Sequence, residues 1–270
     1  MDPYSHICSS VAEFNYLFGV ISYKYPNTQP VDVSKFDSTS SKFSKSQVKL
    51  RFGLINEEVK ELEQAIKDRN PIEVVDALCD ILYVVAGAKA YFNCELGKES
   101  IDKITENYSV NTENLSFTQA NLDTITERFE QLGMMESESI NVYSDVLSNL
   151  TELFVNEQKI KYNKTFLDHL VEMYLEYLDK IVVSVFEISK YLQIDIINLF
   201  DIVHKSNMTK ICLTELEAIE TVEWYKTNEL RYKEPDYKNI NYDGKDYYVI
   251  YDKETNKILK SIKYIPAKFL

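Results

Sequence analysis

Glycine and proline are scarce in this chain, six of each in 270 residues. That excludes a fold built from many tight turns and favours long helices. Histidine is scarcer still. His6, His169 and His204 are the full set, and only one Asp-x-x-His spacing, Asp201 to His204, comes near the paired Glu-x-x-His pattern of a di-iron bundle. The four cysteines, Cys8, Cys79, Cys94 and Cys212, lie far apart with no Cys-x-x-Cys pair. This excludes a zinc ribbon and a disulfide framework. Cys79 and Cys94 read as small core residues in apolar helical context.

Basic residues are outnumbered, 30 against 43 acidic, for a formal charge of -13. That opposes binding to bare nucleic acid or to an anionic membrane. It leaves room for a polyphosphate substrate if a cation mediates. Long apolar runs are missing too. The longest, Ile81 to Ala88, is far too short to span a bilayer. No signal-peptide pattern is visible. The expectation is a soluble protein of the reducing cytoplasm.

What the chain does have is helical periodicity. Val11 to Ile21 carries it, and a loop rich in Pro, Ser and Lys follows over residues 25–46. From about Ser46, apolar Val48, Phe52, Ile55, Val59, Leu62 and Ile66 recur at three- or four-residue steps. A break at Lys-Asp-Arg-Asn-Pro separates this helix from the next, which runs to about Asn93. Asn70 suits the N-cap and Pro71 the first helical position, and Glu73 falls three residues after the cap. Residues 106–116 read as a polar loop. Leu122 to Leu132, Ile140 to Ile160 and Phe166 to Leu192 read as amphipathic helices, as does Ile194 to Met208. A short helix is expected over Thr214 to Tyr225, with Thr214 and Glu217 spaced as a capping box. The tail alternates apolar and polar residues around Glu254-Thr255-Asn256. It predicts a β-hairpin with strands near 246–252 and 257–262.

The anomaly is the crowding of acids into residues 56–85. Residues three and four apart share a helix face, so Glu57 and Glu58 lie near Glu61, and Glu73, Asp76 and Asp80 form one stripe. A short linker makes the two helices antiparallel neighbours. Glu61 and Asp76 are then nearly level at roughly 1.5 Å per residue, and Glu57 and Asp80 are level one turn further out. Such a patch repels itself unless some members take up protons or a cation compensates. A hard divalent ion fits, Mg²⁺ first and Mn²⁺ as a substitute. Alternatives stay open: Glu73 as a mere capping residue, Glu57 or Glu58 as a solvated side chain, or an Arg or Lys as the partner of Asp76 and Asp80. Further on, HKSNMTK offers Lys205, Asn207 and Lys210 to phosphates and sugar, or simply a polar helix end with lysines complementing the dipole.

LINEEVKELEQAI followed by EVVDALCDILYVV resembles the paired EExxE and ExxD motifs of the MazG-like all-α nucleoside triphosphate pyrophosphohydrolases. IVHKSNMTKI, the tail YDKETNKILKSIKYIPAKFL and EFNYLFG narrow the likeness to the phosphoribosyl-ATP pyrophosphohydrolase-like branch. The resemblance covers about residues 11–96 and 187–270. It implies a mainly α, four-helix-type bundle with a small C-terminal hairpin, working as a homodimer or higher oligomer. It implies Mg²⁺ held by Glu57, Glu58, Glu61, Glu73 and Asp76, with Asp80 less secure. It further implies cleavage between the α and β phosphates, Glu58 or Glu61 acting on the attacking water, and Lys205, Asn207 and Lys210 holding substrate. The substrate expected is a dNTP such as dUTP or dCTP, in nucleotide-pool control. Phosphoribosyl-ATP is the alternative, and a non-catalytic nucleotide-sensing or interaction module is another. The departure is residues 97–186, a helical insertion between a discontinuous core (1–96 and 187–212) and a C-terminal part (213–270). It could complete an internal pseudo-dimer, extend an interface or shape the pocket.

Overall fold

The structure is a computed structural model that describes residues 3–21, 45–109, 127–128, 137–156, 164–255 and 257–269. Among them are eight helices: α1 (Pro3–Leu17), α2 (Lys45–Lys67), α3 (Pro71–Phe92), α4 (Lys98–Ser109), α5 (Ser137–Asn156), α6 (Lys164–Leu192), α7 (Ile196–Met208) and α8 (Glu215–Asn228). Strands β1 (Pro235–Tyr242) and β2 (Lys245–Asp252) follow. The fold is mainly α with one small antiparallel hairpin. No helix of the described residues is long and apolar enough to cross a membrane.

The chain divides into two compact units. The first holds residues 1–9, 25–200 and 269–270, and the second 10–24 and 201–268. In the first, α2 packs on α3 and on α5, α5 on α6, and α6 on α3, while α4 lies against α6. Four helices therefore close a ring around Val48, Ile55, Leu62, Leu78, Leu82, Leu147 and Val182, all buried. Two of the four come from residues 97–186, so this block is part of the bundle that carries the acids. Lys89 on α3, 1% exposed, forms a salt bridge with Asp179 on α6. The second Asp179 oxygen accepts the Gly97 N–H at 2.7 Å. A methyl group on Gly97 would meet that oxygen at 3.3 Å, which accounts for glycine there.

Scarce glycine leaves its mark on helix ends. α1 stops at Leu17, short of the expected Ile21, because Gly19 takes a left-handed φ of 68° and the Val20 N–H turns back to the Asn15 carbonyl. The same closure ends α2, α3 and α6 on Arg69, Asn93 and Gln193, at φ 54°, 57° and 55°. These positions would suit glycine better. At α2 the closure has a second effect. The Asn70 N–H bonds the Ala65 carbonyl at 3.0 Å, while the Asn70 side chain accepts the Ile72 and Glu73 N–H groups at 3.2 and 3.3 Å and so caps α3. One asparagine thus ends one helix and starts the next. Glu73 cannot complete a capping box, since the N–H it would take is already used.

Three expectations need correction. Residues 106–109 belong to α4 rather than to a loop; the buried Ile104 anchors this polar helix on the bundle. Cys94 lies beyond the end of α3 and is only half-buried. The hairpin pairs β2 with 235–242, Tyr237 opposite Ile250, and not with 257–262. Its turn is Asp243-Gly244, both at positive φ, the dipeptide that two-residue hairpin turns prefer. Of the expected partner segment only Lys257–Leu259 meets β2, by a bridge of Ile258 to Tyr251 with the Leu259 N–H on the Ile250 carbonyl and the Asp252 N–H on the Lys257 carbonyl, each at 2.9 Å. The next N–H groups go elsewhere: Lys260 to the Tyr225 hydroxyl, Ser261 to the Lys210 carbonyl and Ile262 to the Thr221 hydroxyl. The expected helix at 122–132 lies outside the described residues except for Glu127 and Arg128, which are helical, and so does the 25–46 loop up to residue 44.

In the second unit, β1 and β2 pack on α8 around Cys212, Ala218, Val222, Ile250 and Leu259. A buried polar network ties the tail down. Glu217, 5% exposed, accepts from the Ser261 hydroxyl at 2.5 Å, the Lys263 ammonium at 3.3 Å and the Leu213 N–H at 3.4 Å. Thr214 caps α8 by accepting the Glu217 N–H at 3.2 Å.

Candidate active site

α3 is buried on almost every side. After Glu73 its only residues that reach water are Asp76, Asp80, Val84 and Tyr91. Their spacing places them on one stripe. That stripe faces α2, whose exposed Glu57 and Glu61 and half-buried Glu58 complete a seam. An otherwise apolar helix therefore turns its one wet edge, half of it aspartate, toward three glutamates.

Glu58 is the centre of this field. Burial raises its carboxyl group first, and the charges of Asp80, Glu61, Glu57 and Asp76 raise it further, to about 8. Asp80 is the strongest of these charges. Glu73 is exposed and is not among the leading charges on Glu58. The structure thus brings together five of the six expected acids and leaves Glu73 at the start of α3.

As placed, no three Asp, Glu, His or Cys side chains among the described residues form an array that could hold an ion. The carboxylates share a field rather than a coordination sphere. The donor set still fits a divalent cation in its chemistry: hard oxygens only, with an excess of negative charge that desolvation makes costly. Glu57 and Glu61 are exposed, and rotation of long exposed side chains is what closing such a shell requires.

Lys205, Asn207 and Lys210 belong to the second unit. Lys205 is exposed on α7. Asn207 is only 7% exposed, yet its amide makes no hydrogen bond among the described residues. The turn after it is strapped by the tail. The Ser206 hydroxyl donates to the Ile265 carbonyl at 2.8 Å, and the Thr209 hydroxyl accepts the Ile265 N–H at 2.9 Å. The serine of SNMTK is thereby structural.

One residue of the seam escaped the sequence reading. Arg51, 7% exposed, lies over the Tyr91 ring with its guanidinium carbon 4.6 Å from the centroid. It precedes Glu58 by seven residues, two turns on the same face, and that spacing was the signal available.

Fold and seam together define a mainly helical protein with a carboxylate-lined seam between α2 and α3. A family model described as phosphoribosyl-ATP pyrophosphohydrolase matches residues 32–107, the stretch that contains α2, α3 and every seam acid. An uncharacterized protein, L479, of Acanthamoeba polyphaga mimivirus is 34% identical over 267 residues, covering 93% of this chain and 89% of its own length. No solved structure matches. The chain belongs to the MazG-like, phosphoribosyl-ATP pyrophosphohydrolase family, and its function is of the nucleotide pyrophosphohydrolase type.

Proposed function

We propose that the chain hydrolyses a nucleoside triphosphate, a dNTP such as dUTP or dCTP, to the monophosphate and pyrophosphate, in a Mg²⁺-dependent reaction. The observation that carries this is the crowding of four carboxylates around the partly buried Glu58. A carboxylate held up to about 8 by burial and by four like charges is costly to keep unless a function uses it.

Glu57, Glu58, Glu61, Asp76 and Asp80 would hold the cation, with Mn²⁺ able to replace Mg²⁺. Glu73 is the weakest ligand of the expected set. Bound there, the ion would neutralise charge on the α-phosphoryl group and make water more acidic. Glu58 would take the proton of the attacking water, and Glu61 would orient it. The new bond forms from water oxygen to the α-phosphorus, the bond from that phosphorus to the α–β bridging oxygen breaks, and pyrophosphate leaves. Lys205, Asn207 and Lys210, on the second unit, remain the proposed substrate-binding residues. Product analysis over a panel of NTPs and dNTPs tests the reading. Pyrophosphate and monophosphate are expected; orthophosphate would refute the bond assignment.

A second reading has one specific support: the description of the matching family names phosphoribosyl-ATP. Including phosphoribosyl-ATP in the same panel separates the two by their turnover.

A further inference from the structure

The end of α7 interleaves two kinds of side chain. Lys205, Asn207 and Lys210 are the proposed substrate residues. Ser206 and Thr209, between them, reach the tail instead, and all five lie in the second unit with it. The Ser206 hydroxyl donates to the Ile265 carbonyl at 2.8 Å. The Ile265 N–H donates to the Thr209 hydroxyl at 2.9 Å, and that hydroxyl donates to the Ser206 carbonyl at 2.7 Å. Three hydrogen bonds thus close a loop through Ser206, Thr209 and Ile265, with Asn207 inside its span of chain. The Tyr264 hydroxyl lies 3.0 Å from the same Ser206 oxygen. Four residues before Ile265, the Ser261 N–H donates to the Lys210 carbonyl at 3.1 Å. Ser206 is 6% exposed and Ile265 60%, so the tail is held here through its backbone rather than by packing of the isoleucine side chain.

We propose that Ser206 and Thr209 are positioning residues for substrate binding: by gripping the backbone of Ile265 they keep the end of α7 ordered, so that Lys205, Asn207 and Lys210 are in place before the nucleotide arrives. This rests on the pyrophosphohydrolase reading, with those three as its substrate residues, and deepens it. A helix end frays unless something ties it down. Order that exists before binding does not have to be created on binding, and affinity gains by the difference. The motif SNMTK then divides by task, the serine and threonine holding while the asparagine and lysine bind. Thr209 must both donate and accept. Serine can do the same, and valine, of nearly the same shape as threonine, can do neither.

The test is steady-state kinetics of the full chain with Mg²⁺, on the nucleotide of the panel that the wild type turns over fastest. KM is independent of the folded fraction, so a merely structural loss lowers the apparent kcat and leaves KM where it was. Thr209→Val and Ser206→Ala should each raise KM by about fivefold or more, with a smaller change in kcat. Thr209→Ser should keep KM near the wild-type value. Both hydroxyls hold one residue, so the double variant should raise KM little beyond the larger single effect. Wild-type KM in both Thr209→Val and Ser206→Ala, or a rise in Thr209→Ser equal to that in Thr209→Val, would overturn the proposal and leave the hydrolase reading standing. Absence of wild-type turnover on every nucleotide of the panel removes the hydrolase reading and this assignment with it.

Discussion

Two glutamates, one in each unit, are withdrawn from water and respond in opposite ways. Burial pushes Glu58 up, and four neighbouring carboxylates push it further, to about 8. Burial would push Glu217 up as well, but hydrogen bonds from Ser261, Lys263 and the Leu213 N–H outweigh it and hold the carboxyl below its ordinary value. Desolvation is common to both, and the partners decide the outcome. The satisfied carboxylate of the second unit is a fastening. The unsatisfied one of the first unit is poised to bind something positive.

The strongest way to break this contrast is to neutralise the seam. Glu61→Gln and Asp76→Asn should each lower turnover by about a hundredfold or more, measured as pyrophosphate release. Near-normal rates in both would remove the site. The corresponding change in the second unit, Glu217→Ala, should leave turnover per folded molecule unaltered.

A buried pair beside the acids sharpens the comparison next. Lys89→Met or Asp179→Leu alone strands a buried charge and should cost about 3–5 kcal/mol in denaturant unfolding. The double variant should recover most of that loss, because two apolar side chains strand nothing. Equal losses in the single and double variants would mean that the pair contributes packing rather than charge.

How much of this was legible beforehand follows the same division. The acids of α2 and α3 could be read because periodicity, the Asn70 cap and a short link fix a face and a level. Their partner helices could not be read. Periodicity shows that α5 and α6 have an apolar face, but not that those faces close a ring with α2 and α3. α4 was missed because its surface is polar and few apolar residues anchor it. The hairpin was half right: β2 was found, but Asp243-Gly244 carried the turn, and after a short contact of Leu259 with β2 the later Lys-rich segment spends its N–H groups on α8 and on Lys210. Arg51 was overlooked because a lone arginine carries no motif.

Glu58 and Glu217 should also separate on a pH axis. The folded chain holds the Glu58 proton up to about pH 8, while the unfolded chain loses it near the ordinary value. The unfolded state therefore binds fewer protons in between, and metal-free stability falls as pH rises across that window. Glu58→Gln should flatten this fall. Glu217 works the other way: its lowered value contributes stability above the ordinary carboxylate range that is lost as pH falls through its folded value. Glu217→Ala should remove that acid-side loss and cost about 1–3 kcal/mol at neutral pH.

The smallest effect concerns helix ends. Arg69 and Gln193 sit at φ 54° and 55°, so Arg69→Gly and Gln193→Gly should each stabilise by about 0.5–1 kcal/mol by relieving left-handed strain.

The central claim is that Glu58, raised to about 8 by burial and by its neighbouring carboxylates, gives up its proton when a divalent cation binds the seam. Calorimetric titration of the metal-free protein with Mn²⁺ at pH 7, in buffers of different ionisation enthalpy, measures the protons released on binding. Saturable binding with release of about one proton is expected, and Glu58→Gln should abolish the release. Absence of binding, or binding without release in the wild type, would contradict the account.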